Sequence, residues 1–244
     1  MRRPTPPRSR WRDDPIRFEV VATSGGVART IVHLSDRDRR GYDAAVSAVT
    51  PAVERALGDG VVANRARSTS IGVVLEPWGV ARRRYARSIA SAAAGPWRAA
   101  FIGDVRDCYG SIGPPIVERA LHNLGAPEQP IEHIVGILRH LEERGVRGLP
   151  VGPHPSAVLA NAALVSVDRD LGEATSGPAF RWVDDVVVLA MDRPGARHAA
   201  ATFTRALDTL GLTSHPAKCR IVDDLQSMLT TSCRPSVAGG PAVP

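Results

Sequence analysis

The segment "FRWVDDVVVLA", Phe180 to Ala190, constrains the fold more than any other stretch of this chain. Its body is an apolar run, the pattern of a strand covered on both faces. Asp184 and Asp185 lie side by side within it. A buried carboxylate without a partner costs several kcal/mol or gives up its charge. Neighbouring residues of a strand also face opposite ways. The pair therefore predicts a tight hairpin turn at Val183-Asp184-Asp185-Val186, with a strand on either side. A plain turn is one reading, because Asp is a common turn residue and the dipeptide recurs at Asp13-Asp14 and Asp223-Asp224.

A second acid stands on a similar segment. In "FIGDVRDCY", Asp104 follows Phe101-Ile102-Gly103. Carboxylates gathered at strand ends repel one another unless a cation intervenes. Hard oxygen ligands suit Mg²⁺, which takes one or two carboxylates together with substrate phosphates. Two such ions, about 4 Å apart, clamp the attacking and leaving oxygens of an in-line phosphoryl transfer.

The rest of the chain reads as mixed helix and strand. "RFEVVA" and "ARTIVHL" predict two strands joined across "TSGG". A helix is expected from Tyr42 to Leu57, with Val46, Val49 and Val53 on one face and a kink at Pro51. "TSIGVVLEPW" predicts one strand and a turn, and "VARRRYARSIASAAA" a basic helix ended by Gly95-Pro96. "WRAAFIGDV" is a strand. Helices follow from Pro115 to Leu124, from Ile131 to about Arg144, and from Ser156 to Leu171. A further helix, Ala196 to Leu210, stops at Gly211, and "KCRIV" is the last strand. The elements do not alternate as βαβ units, so the expected class is α+β.

Composition excludes several classes. Hydrophobic residues make up 43% of 244, enough for a real core. No apolar run reaches the roughly 20 residues that span a bilayer, and no secretory signal opens the chain. No membrane role and a cytoplasmic location are expected. The three cysteines, Cys108, Cys219 and Cys233, form no CxxC pair and predict reduced thiols without zinc. Net charge is +6, which permits a nucleic-acid partner. Of the 31 basic residues only Lys218 is a lysine. The helix bearing Arg82, Arg83, Arg84 and Arg87, with Tyr85 and nearby Trp78, fits a nucleic-acid track, as arginines bind phosphates and aromatics stack on bases. A solvated helix face is the alternative.

The order of these segments resembles the reverse transcriptases, especially those of bacterial group II introns, retrons and abortive-infection systems. "DVRDCYGSI" looks like their first catalytic motif. "GLPVGPHPSAVLANAALVSVDRDL" looks like the following loop and long helix, "RWVDDVVVLA" like the aromatic-x-Asp-Asp hairpin, and "LGLTSHPAKCRI" like the next helix-to-strand segment. Upstream, "ARTIVHLSDRDRRGYDAAV" and "VERALGDGVVANRARS" are similar to the fingers. The resemblance runs from about Arg17 to Val222.

It implies a palm-and-fingers polymerase. Asp104, Asp184 and Asp185 would hold two Mg²⁺ ions, or Mn²⁺ in their place, with the Val105 carbonyl as a further ligand. Tyr109 would lie beneath the sugar and exclude a 2′-hydroxyl. Pro150, Val151 and Gly152 would touch the incoming nucleotide or template base. Arg29 would grip the triphosphate with its bidentate fork. Lys218 would be the general acid for the leaving pyrophosphate, a role arginine cannot fill because it holds its proton.

The implied division is a flexible basic arm at 1–15, fingers at 16–100, palm at 101–112, a helical fingers insertion at 113–148, palm again at 149–226, and a flexible tail at 227–244. Implied partners are an RNA template, a DNA or RNA primer and deoxynucleoside triphosphates. The chain departs from the pattern at three places. Val151 stands where many relatives have Gln, Trp182 where Tyr is usual, and "VVATSGG" where a lysine is frequent. No thumb follows the last motif, which leaves two expectations: a minimal or truncated polymerase, or one completed by a thumb-supplying protein or self-association. Two alternatives remain open: template-independent or protein-primed DNA synthesis of the abortive-infection type, and a degenerate nucleic-acid-binding subunit without catalysis.

Overall fold

The computed structural model describes residues 16–22, 28–70 and 72–225. The expected basic arm, the "TSGG" turn and the tail lie outside the described residues.

The N-terminal strands β1 (Arg17–Ala22) and β2 (Ala28–His33) pair antiparallel, as expected, with Arg29 opposite Val21. Helix α1 (Asp36–Ala56) begins six residues before the expected Tyr42. The reason is capping, not hydrophobic pattern. The Ser35 hydroxyl accepts from the Asp38 N–H at 3.1 Å, and Asp36 and Asp38 sit in the first turn, where the helix dipole favours them. The helix runs through Pro51. Proline cannot bond the carbonyl four residues back, and that carbonyl, of Ser47, accepts the Ser68 hydroxyl instead.

The strand expected within "TSIGVVLEPW" is β4 (Gly72–Leu75), and it pairs antiparallel with a strand just upstream that was not expected, β3 (Ala66–Thr69). Helix α2 (Trp78–Ala93) follows, then β5 (Ala99–Asp104), a single turn α3 (Cys108–Ser111), α4 (Pro114–Asn123) and α5 (Glu128–Glu143). Helix α6 (His154–Ala174) leads into the hairpin of β6 (Ala179–Trp182) and β7 (Asp185–Ala190). Helix α7 (Arg193–Leu210) ends at Gly211 in the left-handed conformation, and β8 (Arg220–Val222) closes the fold.

The principal sheet has the order β6-β7-β5-β8, with every pair antiparallel. Strands β5 and β7 are central and covered on both faces, which explains the unbroken apolar run. Val186 and Val188 join the large core with Phe203 and Leu207 of α7 and Leu159, Val167 and Leu171 of α6. Val187 and Leu189 face the other way, onto Tyr85 and Ile89 of α2. The large core runs without a break from Val46, Val49 and Val53 of α1 through Ile134, Leu138 and Leu141 of α5 to the sheet. One continuous interior thus carries the segments expected as fingers and palm. Among the described residues no helix is long and apolar enough to cross a membrane.

Candidate active site

The Asp-Asp pair sits at a hairpin, one position from where the sequence puts it. Trp182 pairs with Asp185, so the two-residue loop is Val183-Asp184 and Asp185 opens β7. Val183 has φ +59°, a left-handed backbone that a β-branched residue rarely adopts. Across the sheet Asp185 stands in register with Asp104, the last residue of β5. The Val105 N–H donates to the Asp184 carbonyl at 3.1 Å, stitching the loop to the strand end. Strand pairing therefore brings the three acids together although 80 residues of chain separate the motifs (on the order of one small domain).

Lys218 completes the cluster. It lies in a turn before β8, not within the strand expected for "KCRIV". The segment before it clasps the end of β5: Arg106 N–H donates to the Thr213 carbonyl at 2.8 Å, and His215 N–H to the Asp104 carbonyl at 2.8 Å. Lys218 Nζ reaches Asp104 Oδ2 at 2.6 Å. The Asp104 side chain is 3% exposed and that of Lys218 55%, so the lysine shields a buried acid from its open side.

The electrostatics are those of crowded carboxylates. Burial, then the charge of Asp104, holds Asp184 above the usual carboxylate range. Burial, then the charges of Asp184 and Asp104, lifts Asp185 to about 7. Burial lowers Lys218, but its bond to Asp104 and the charges of Asp104, Asp184 and Asp185 together outweigh that and leave it raised. Among the described residues no three His, Cys, Asp or Glu side chains stand in a preformed metal-binding group. The donor set nevertheless fits Mg²⁺ or Mn²⁺: three hard carboxylates that repel one another, with Lys218 and Arg29 offsetting part of that repulsion.

The raised Asp185 has a measurable consequence. The folded protein holds a proton at Asp185 that the unfolded chain releases near the ordinary value of 3.8. Stability of the metal-free protein should therefore be greatest below about pH 4 in this contribution and fall as pH rises to about 7. Asp185 keeps solvent contact, which screens part of the effect. In thermal melts in EDTA, Asp185→Asn should flatten this slope. An identical slope in both proteins would remove Asp185 as its source.

The expected nucleotide-binding residues lie on segments that adjoin one another. Tyr109 is partly buried, and its carbonyl accepts the Leu149 N–H at 2.8 Å. Gly148, with φ +64°, makes this approach feasible, since a Cβ there would sit 2.3 Å from that carbonyl. The loop continues to Val151, whose carbonyl accepts the Val32 N–H at 2.8 Å and docks β2 on the site. Arg29, exposed on β2, acts electrostatically on both Tyr109 and Asp184. Pro150 is buried, which leaves Val151 and Gly152 as the open members of the loop.

The basic helix needs correction. Tyr85 is buried, 5% exposed, and packs in the core behind the sheet, so it is no stacking platform. Arg84 is taken by Glu76 at 2.7 Å and the Val62 carbonyl at 3.0 Å. Arg82 lies over the Trp182 ring, 5.3 Å from its centroid. Arg83 and Arg87 remain exposed, as does Trp78, which meets Trp182 edge-on.

Sequence reasoning missed Arg181. This β6 residue is 2% exposed and forms a bidentate pair with Asp168 of α6, at 2.7 and 2.8 Å. Its Nη1 also donates to Asn161 Oδ1 and to the Val183 carbonyl, each at 2.9 Å. A signal was available. Asn161 and Asp168 lie seven apart on α6, hence on the face that carries Leu164 and Leu171 into the core, and must find a polar partner there.

Comparisons with known proteins bear on the family and the fold. A family model described as "Reverse transcriptase (RNA-dependent DNA polymerase)" matches residues 70–231. Among solved structures, the chain is similar to telomerase from Candida albicans in complex with a TWJ fragment of telomeric RNA, with TM-score 0.56 and 13% identity over 85% of this chain and 41% of that one. It is also similar to apo telomerase from Candida tropicalis truncated from its C-terminal domain, with TM-score 0.55 and 10% identity over 85% of this chain and 50% of the other. At these identities the likeness is one of fold, and this chain spans half or less of either telomerase chain. No curated protein sequence matches.

Proposed function

The chain belongs to the reverse transcriptase family, and from that premise we propose that it adds deoxynucleotides to a primer 3′-hydroxyl on an RNA template. The observation that supports this most is the meeting of Asp104, Asp184 and Asp185 at adjacent strand ends, with Lys218 Nζ on Asp104. A binding scaffold has no use for acids that repel one another and cost stability.

Asp104, Asp184, Asp185 and the Val105 carbonyl would hold two divalent ions, which when bound supply positive charge for in-line displacement at the α-phosphorus. The chain's own residues do the rest by placement and charge. Arg29 would clasp the triphosphate from β2. Tyr109, fixed from behind by the Leu149 N–H, would carry the deoxyribose and exclude a 2′-hydroxyl. Val151 and Gly152 would meet the nucleobase or template. Lys218, protonated at neutral pH, would pass its proton to the pyrophosphate as the bond to the α-phosphorus breaks. Arg83 and Arg87 would meet nucleic-acid phosphates.

Primer extension with purified protein, Mg²⁺ or Mn²⁺ and labelled dNTPs tests the reading, run with an RNA template, a DNA template and none. RNA-dependent product is expected. Product without template would replace it with template-independent synthesis, and no product in any arm, with nucleic acid still bound, would favour a binding subunit.

A further inference from the structure

Beneath the acid-bearing turn, the Arg181 guanidinium directs four N–H groups at three acceptors: the Asp168 carboxylate, Asn161 Oδ1 and the Val183 carbonyl. Asn161 is itself held, its Nδ2 donating to the carbonyls of Ala63 and Asn64 at 3.2 and 3.3 Å. The Arg181 backbone is pinned to the same loop, N–H to the Gly60 carbonyl at 2.8 Å and carbonyl to the Val62 N–H at 3.1 Å. The guanidinium therefore hangs from α6, from the loop at 60–64 and from its own strand, and has one donor aimed at the turn.

That donor grips the peptide joining Val183 to Asp184. Val183 is the residue with the left-handed backbone, which a β-branched side chain resists. Left alone, it would relax toward the extended region and swing Asp184 away. On the far side, the Asp184 carbonyl is held by the Val105 N–H. Asp184 thus stands between two fixed peptides, one tied to the first strand and one to Arg181.

We infer that Arg181, aimed by Asp168 and Asn161, is a positioning residue that holds the Val183-Asp184 turn in its metal-binding geometry. It rests on the polymerase reading only in taking Asp184 as a metal ligand. Lysine would not replace it. A single ammonium keeps the charge opposite Asp168 but cannot pair bidentately and reach Asn161 and Val183 together.

Mn²⁺ binding, read from the EPR signal of the free ion without nucleotide or nucleic acid, tests the inference. Arg181→Lys should weaken binding about tenfold or more. Adding Val183→Gly to Arg181→Lys makes the left-handed backbone cheap and should recover most of that loss without restoring the lowered Tm. A role in core stability alone gives no such recovery. Unchanged binding in folded Arg181→Lys, or no recovery with glycine, overturns the inference. If Arg181→Lys does not fold, Asn161→Ala carries the test, since it leaves the Asp168 pair and removes the group that aims Nη1. Weaker binding is then expected, and wild-type binding overturns it. If the wild type binds no Mn²⁺, the metal-dependent reading of the site fails separately. Hydrogen exchange across 182–186 then decides: exchange about tenfold faster in the folded variant, with β5 unchanged, upholds the positioning role, and equal exchange ends it.

Discussion

Asparagine in place of Asp184 should lower deoxynucleotide incorporation by roughly a thousandfold or more, in a protein at least as stable as the wild type without metal. The two halves of this result have one cause. Asp184 is held above its usual range by burial and by Asp104, so its charge is a liability to the folded chain. Asparagine has the same shape and no charge. The backbone bond from the Val105 N–H to the residue 184 carbonyl does not involve the side chain and should survive. What disappears is an anionic oxygen that Lys218 and Arg29 offset only in part and that a divalent cation would offset further. Single-nucleotide extension in Mg²⁺ and thermal melts in EDTA at pH 8 read both halves. More than a tenth of wild-type rate would take Asp184 out of the chemistry. Lost rate with a lowered Tm would mean that the substitution acts through the fold.

The parts of the fold legible in the sequence are those where hydrophobic pattern decides structure. The run Val186–Leu189 needed cover on both faces and has it, from α7 and α6 on one side and α2 on the other. The four-residue steps of Leu159, Ala163, Val167 and Leu171 mark the buried face of α6. Where polar groups decide, pattern fails. The start of α1 is set by the Ser35 cap, β3 is too short and polar to show alternation, and Lys218 is placed by backbone bonds through His215.

The site was legible to the same degree. Asp104, Asp184 and Asp185 stood out as acids in apolar surroundings. Tyr85 misled, because a basic helix does not show which of its aromatics turns into the core, and the contacts of Arg84 with Glu76 and of Arg82 with Trp182 carry no signal in the pattern either. Arg181 went unread because one arginine in a strand carries no periodicity. Only the pairing across the fold with Asp168 gives it meaning.

Lys218→Arg separates the two things a cation at Asp104 can do. The lysine offsets the crowded acids, and arginine would do that as well or better, with a fork suited to a carboxylate. If Lys218 also gives its proton to the leaving pyrophosphate, arginine fails, since it does not release a proton at any useful pH. General acid catalysis contributes roughly a hundredfold or more. Lys218→Arg should therefore keep the metal-free Tm of the wild type and lose about two orders of magnitude in extension rate. Lys218→Met should lose the same rate and also the Tm, because the buried Asp104 is left without its partner. Pre-steady-state extension keeps nucleic-acid release out of the comparison. An arginine variant as fast as wild type would reduce Lys218 to a counter-ion. An arginine variant as unstable as Lys218→Met would show that the turn from His215 to Lys218 cannot admit the larger group, and the proton assignment would then pass to a pH–rate profile of the wild type, where a donor predicts loss of rate on the alkaline side.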